Sequence, residues 1–136
     1  MDSLTNLVKL HYRKYEDNKV ITNDTFKEKV QFEQRLEQSK LIMDKYPTRV
    51  PVICERLTKK IQQLDRTKYL CPDDLSMGNF MYVIRKRMNL DSSKAIYLFI
   101  NNKIVPVSQT LGVIYDKFHD EDGFLYIKYD SETTFG

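Results

Sequence analysis

The chain has 136 residues, 41% hydrophobic and 30% charged, with a net charge of +3. That length suits one domain, and a domain of this size buries roughly 68% of the surface its unfolded chain exposes. The longest uncharged apolar-rich stretch, "AIYLFINN", is far shorter than the ~20 residues of a spanning helix, and no secretory leader is readable, which leaves the cytoplasm as the expected location.

Along the chain, Leu4, Leu7, Val8, His11 and Tyr15 share one helical face after Ser3, a candidate N-cap, so residues 3–17 read as a short amphipathic helix. Lys9, Arg13, Lys14 and Lys19 accompany that stripe, which could touch a membrane, a second copy or a partner, or simply pack on the domain. "EDNKVITND" reads as a linker. Phe32, Leu36, Ser39, Ile42, Met43 and Tyr46 then recur at helical spacing, and this helix must stop before Pro47.

"RVPVICE" alternates and is β-branched, so it reads as a strand, with Pro51 pointing to an edge position or a bulge. "TKYLCP" is a second strand, antiparallel to the first across a loose loop. Leu75, Phe80, Val83, Ile84, Met88 and Leu90 predict a central helix over Met77 to Met88, capped by Ser76. "AIYLFI" is a strand buried on both faces, "NNK" a turn, "IVP" a short strand, "TLGVIYDKF" a short helix and "FLYIKY" the last strand. From Thr48 the order β-β-α-β-β-α-β predicts an α+β fold of the β-grasp type, with a mixed sheet.

Charge is uneven: Lys27 to Lys68 holds eleven basic and six acidic residues, Tyr69 to Gly136 seven and nine. No aromatic-interleaved basic motif accompanies this, so a nucleic-acid partner is not expected. Cys54 and Cys71 have no CxxC partner or nearby His and read as buried free thiols, with no metal site. His11 and His119 sit in no nucleophile motif and no Gly-rich phosphate loop occurs, so catalysis by this chain is not expected and no cofactor is implied.

"YPTRVPVICER", "DRTKYLCPDDLSMGNFMYVIRKRM", "KAIYLFINNKIVP" and "DEDGFLYIKYDSETTFG" occur in this order. Together they resemble the ubiquitin-like modifiers of the autophagy-related protein 8 family, which includes microtubule-associated light chain 3 and the GABA-receptor-associated protein. The resemblance covers Phe26 to Gly136, and the head, Met1 to Thr25, is longer than the family usually carries. It implies a ubiquitin-like β-grasp with a four-stranded mixed sheet and two added N-terminal helices. The domain would span residues 26–130, between an extension at 1–25 and a conjugation tail at 131–136.

The resemblance further implies attachment through Gly136 to phosphatidylethanolamine on autophagosomal membranes, by way of activating and conjugating enzymes and a processing and deconjugating cysteine protease; the alternatives are a ubiquitin-like modifier conjugated to a protein and a non-conjugated adaptor that only binds peptide motifs. A glycine end suits that chemistry, since it lacks a Cβ and threads easily into another protein's site. An exposed strand edge would receive cargo receptors and adaptors carrying an aromatic-x-x-aliphatic motif, and the strand Arg49 to Glu55 is expected to supply it, with Lys68 to Leu70 nearby.

By position within the matched motifs, Ile42, Pro51, Ile53, Lys68, Leu70 and Phe124 would line the pocket for the partner's aromatic residue. Tyr69, Cys71, Pro72, Leu75, Phe80 and Val83 would line the aliphatic pocket. Arg49, Lys68 and Arg87 would favour acidic flanking residues. Periodicity alone reads these apolar side chains as ordinary core. Gln38 and Cys71 depart from residues common among relatives, an acidic and an aliphatic one, and both would retune partner choice.

Overall fold

The computed structural model describes residues 25–91 and 93–131. The helix expected over 3–17, its linker up to residue 24, and most of the tail, including Gly136, lie outside the described residues.

Helix α1, Phe26–Lys29, is a single turn held by a capping box: the Thr25 hydroxyl accepts the Glu28 N–H, and the Glu28 carboxylate accepts the Thr25 N–H. Helix α2, Phe32–Lys45, ends at Tyr46, because Pro47 disfavours a helical residue before it. Strand β1, Arg49–Arg56, pairs antiparallel with β2, Lys68–Pro72. Helix α3, Met77–Met88, starts at Ser76, whose Oγ accepts the Asn79 N–H, and closes on left-handed Asn89. It buries Met77, Phe80, Ile84 and Met88, one face at helical spacing. Strand β3, Ile96–Ile100, turns through Asn101 and Asn102, both at positive φ, into β4, Lys103–Ile104. Helix α4, Leu111–Phe118, capped by Thr110, leads to β5, Leu125–Ser131.

The sheet runs β2-β1-β5-β3-β4, with β1 and β5 parallel and the other pairs antiparallel. It therefore has five strands rather than four: although β4 is only two residues long, it completes the Asn-Asn hairpin by pairing Ile104 with Phe99 and Lys103 with Ile100. The α+β ubiquitin-like class stands.

A second correction concerns β1, which has a strand on each side and is not the edge. Backbone bonds from Cys54 to Thr67 and from Asp73 to Thr48 fix the phase of the β1–β2 ladder. Pro51, opposite Leu70, therefore occupies a non-bonded position whose absent N–H would point toward β5. The β5 register begins only at Val52, so no ladder bond is lost there. Proline signalled one unpaired side at one residue, not an unpaired strand.

Two apolar clusters lie on opposite faces of the sheet. The larger joins Val50, Val52, Cys54 and Tyr129 to α3, α4 and the loop residues Ile61 and Leu64. The smaller holds Phe26, Ile53 and Phe124, with Val30, Ile42 and Tyr126 packed against it under α1 and α2.

Candidate functional site

The free edge of the sheet is β2. Since Thr67, Tyr69, Cys71 and Asp73 hold the positions bonded to β1, the N–H and C=O of Lys68 and Leu70 point away from the sheet. Pro72, at the strand end opposite Arg49, carries no donor. Lys68 and Leu70 thus offer two donors and two acceptors to an extended chain, and the Leu70 carbonyl meets only a long 3.5 Å contact from the Arg49 guanidinium.

The strand's alternation sends Lys68 and Leu70 to the α2 face, and Tyr69 and Cys71 to the α3 face. On the α2 face the sequence-predicted residues do assemble: Ile53, exposed by 1%, and Phe124, exposed by 2%, form a floor, with Ile42 beside it. Pro51 is buried next in register, while Leu70 is half-buried and Lys68 exposed.

This pocket already has an occupant. The Phe26 ring stands edge-on to Phe124 at 5.1 Å, and the Lys68 ammonium lies 4.9 Å above it. The Phe26 N–H donates to Glu55 Oε2 at 2.8 Å, and Lys128 Nζ holds the other oxygen of that buried carboxylate at 3.1 Å. Gln38 accepts from Lys68 at 3.2 Å, so this uncharged residue still positions the lysine.

Sequence periodicity could not find Phe26, since one turn of helix carries no period. The signal was the capping box Thr25-x-x-Glu28, which marks a helix start directly before it. Glu55 sat unremarked inside the alternating strand.

On the α3 face, Tyr69 stacks edge-on against Phe80 at 5.6 Å, under the Arg87 guanidinium at 6.0 Å, and its hydroxyl donates to the Arg66 carbonyl at 2.8 Å. Arg87 also pairs with Asp65 at 3.2 Å. Phe80 is fully buried and acts as the base of the site, whereas Leu75 is half-buried and Val83 and Pro72 are exposed. Burial raises the Tyr69 hydroxyl to about 12, with the neighbouring Cys54 adding to the rise. Burial likewise pushes the Cys71 thiol up to about 11, partly offset by Arg49, so Cys71 serves as a small apolar wall.

The core reading of Ile53, Phe80 and Phe124 is thus correct for their rings and side chains, while the surface of the site comes from Lys68, Leu70, Leu75 and Val83. Among the described residues no group of His, Cys, Asp or Glu is placed to hold a metal, and no helix is long and apolar enough to cross a membrane.

Residues 34–136 match the family described as "Autophagy protein Atg8 ubiquitin like". The chain is 48% identical over 112 residues to autophagy-related protein 8 of Schizosaccharomyces pombe, covering 82% of this chain and 93% of the yeast one. It is 44% identical over 117 residues to autophagy-related protein 8c of Arabidopsis thaliana, covering 85% and 98% of the two chains. The crystal structure of Trypanosoma brucei ATG8 superposes with a TM-score of 0.76 at 38% identity, covering 82% of this chain and 97% of that one. With its fold and its sequence in agreement, the chain belongs to the Atg8 family of ubiquitin-like autophagy proteins.

Proposed function

We propose that this chain is a conjugated autophagy modifier, joined through Gly136 to phosphatidylethanolamine on autophagosomal membranes, where it recruits cargo receptors and adaptors and supports membrane expansion or tethering. The glycine carboxylate is activated as an adenylate at the expense of ATP, passes as a thioester to the conjugating enzyme, and ends as an amide on the lipid amine. The thiol leaves as the amide forms. Two acyl chains, at ~0.8 kcal/mol per buried CH₂, then anchor a protein without a spanning helix. A cysteine protease that processes and deconjugates the tail completes the set of enzyme partners. The protein is cytoplasmic before conjugation and membrane-bound after it.

The observation that supports recruitment is the free β2 edge, with outward Lys68 and Leu70 backbone groups and a cluster of apolar side chains on each face. A partner's aromatic-x-x-aliphatic segment would add as a strand, its aromatic residue contending with Phe26 and its aliphatic residue meeting Leu75 and Val83. Arg49, Lys68 and Arg87 suit acidic flanks.

Intact mass tests the tail, after incubation with ATP, the family's activating and conjugating enzymes and phosphatidylethanolamine vesicles. A lipid-sized increment that disappears when Gly136 is deleted is expected; none, with enzymes active on a relative, would leave only a peptide-binding adaptor. Calorimetry tests the edge: Tyr69→Ala with Leu70→Ala should weaken binding of a motif peptide about tenfold or more without unfolding the domain. Unchanged affinity would refute the docking site.

A further inference from the structure

Strand β5 leaves the sheet at Ser131, which registers with Ile96 of β3, while Tyr129 registers with Arg56 of β1. The segment after β1 lies against this exit: the Leu57 N–H donates to the Tyr129 carbonyl at 2.8 Å, and the Thr58 hydroxyl reaches the Asp130 carboxylate at 3.4 Å. That segment presents Lys59 and Lys60, both exposed and in no ion pair among the described residues. On the other flank, the approach to β3 presents exposed Lys94, whose backbone carbonyl accepts from the Arg85 guanidinium. Arg56 and Arg85 add two half-buried cations.

The nearby carboxylates are fewer. Asp91 is exposed, Asp65 is exposed and pairs with Arg87, Glu132 follows Ser131 in the sequence, and Asp130 is buried and accepts from Thr58 and from the Ser131 N–H. At the opposite end of β1 and β5 the balance reverses: Asp44, Asp73, Asp74, Asp116 and Glu121 are exposed and Asp120 is half-buried, against the cations Lys27, Lys45, Arg49 and Lys117. Among the described residues the charge thus separates between the two poles of the sheet as well as between the two halves of the chain.

We propose that the basic pole around the strand exit is a docking surface for anionic phospholipid headgroups, with Lys59 and Lys60 on one flank of the tail and Lys94 on the other. The inference rests on the reading that the chain end is held at a bilayer. The five residues after Ser131 span at most about 18 Å, so a tethered tail holds the headgroups within the ~30 Å Debye length of these ammonium groups at 0.01 M salt. The acidic pole then points away from the membrane, and the β2 edge runs along the side of the molecule, open to partners. Neither "LTKKI" nor "SKA" supplies an aromatic for base stacking, which favours a headgroup surface over single-stranded nucleic acid.

The test attaches the full chain, extended by six histidines after Gly136, to vesicles carrying nickel-chelating lipid. One set is otherwise neutral phosphatidylcholine and the other contains phosphatidylserine. At low salt the anionic vesicles should bind about tenfold more tightly, and the gain should vanish in K59E/K60E/K94E and at 0.3 M salt. The variant K45E/K103E/K117E, equal in net charge but altered away from the exit, should keep the gain; all six lysines are exposed, so both variants fold. Equal binding to both vesicles, equal loss in both variants, or preferential capture of an RNA oligonucleotide over vesicles of equal phosphate content would overturn the proposal. Because this tether bypasses the Gly136 amide, failure of conjugation and failure of docking are read separately.

Discussion

Gly123 sits at φ +89°, and a Cβ there would lie 2.2 Å from Ser39 Oγ and 2.9 Å from Ser39 Cβ. Two costs combine at this one position, a backbone region that L-residues avoid and a collision with the hydroxyl that donates to the Asp122 carbonyl. Gly123→Ala should therefore lower unfolding stability by about 3 kcal/mol in urea. Adding Ser39→Gly should recover only the collision; a wild-type midpoint for Gly123→Ala would refute the account. Protons are a second residue-scale matter, because burial raises Cys54, Cys71, Tyr69, Tyr126 and Tyr129 together. Tyr126 gains further from its hydrogen bond to Asp122, while the Leu64 N–H partly opposes the rise at Tyr129. Each raised group stays protonated in the folded chain after its unfolded counterpart has ionised. The stability it lends is complete below the unfolded pKa, about 8.5 for Cys and 10 for Tyr, and is lost as pH rises toward the folded value. Thermal midpoints should fall steadily from about pH 8.5 upward, and iodoacetamide at pH 8 should leave Cys54 unmodified until the chain unfolds. A flat alkaline profile would contradict this.

At the scale of elements, helix α3 was legible from Ser76 and its apolar spacing, and its bounds agree with the pattern. The edge was not legible. Pro51 announces a missing donor, but a sequence does not say on which side of a strand that donor would have pointed, nor whether a neighbour begins one residue later at Val52. The one-turn α1 escaped periodicity for lack of length, and with it went Phe26, the residue that most changes the aromatic pocket. Residues on β2 could be placed by alternation, but off that strand burial sorts the aliphatic-pocket candidates: Phe80 on α3 is fully buried, whereas Leu75 is half-buried and Val83 exposed. The phase of β2 gives a sharp prediction. Proline at Leu70 removes an outward N–H and spares the β1 ladder, as Pro51 and Pro72 already do at bonded-free positions, whereas proline at Cys71 removes a ladder donor in the core. Leu70→Pro should fold yet bind a motif peptide about fivefold more weakly than Leu70→Ala, which keeps the N–H. Cys71→Pro should fail to fold. Equal affinity of the two Leu70 variants would mean that the partner does not pair with this edge.

Among the described residues the molecule divides into a β-grasp with a large apolar core and an outer layer, α1 and α2, joined to it by a cluster of three buried members, Phe26, Ile53 and Phe124. Apolar area alone holds that layer weakly, so polar links carry more of its attachment. Arg35 Nε donates to Asp122 Oδ2 at 2.8 Å with both side chains buried, and its guanidinium also reaches the Val30 carbonyl. Asp122 accepts in addition from the Phe124 N–H and the Tyr126 hydroxyl, Glu55 holds the Phe26 N–H, and Lys27 pairs with Asp120 at 2.8 Å. Breaking a buried ion pair from one side leaves a charge without its partner and typically costs about 3 kcal/mol or more. Arg35→Leu would place this loss at the boundary between the two layers. The expected result in native-state hydrogen exchange is that amides of α2 open locally at a free energy well below the global value, while those of α3 keep their protection. Affinity for a motif peptide should change in the same variant, because Phe26 and Ile42 reach the aromatic pocket from that layer. Asp122→Asn should loosen α2 as well, since it leaves the buried Arg35 guanidinium without its counter-charge and offers one acceptor where both carboxylate oxygens now receive donors. If α2 and α3 lose protection together in Arg35→Leu, the layers form one cooperative unit, and the aromatic pocket cannot open without unfolding the domain.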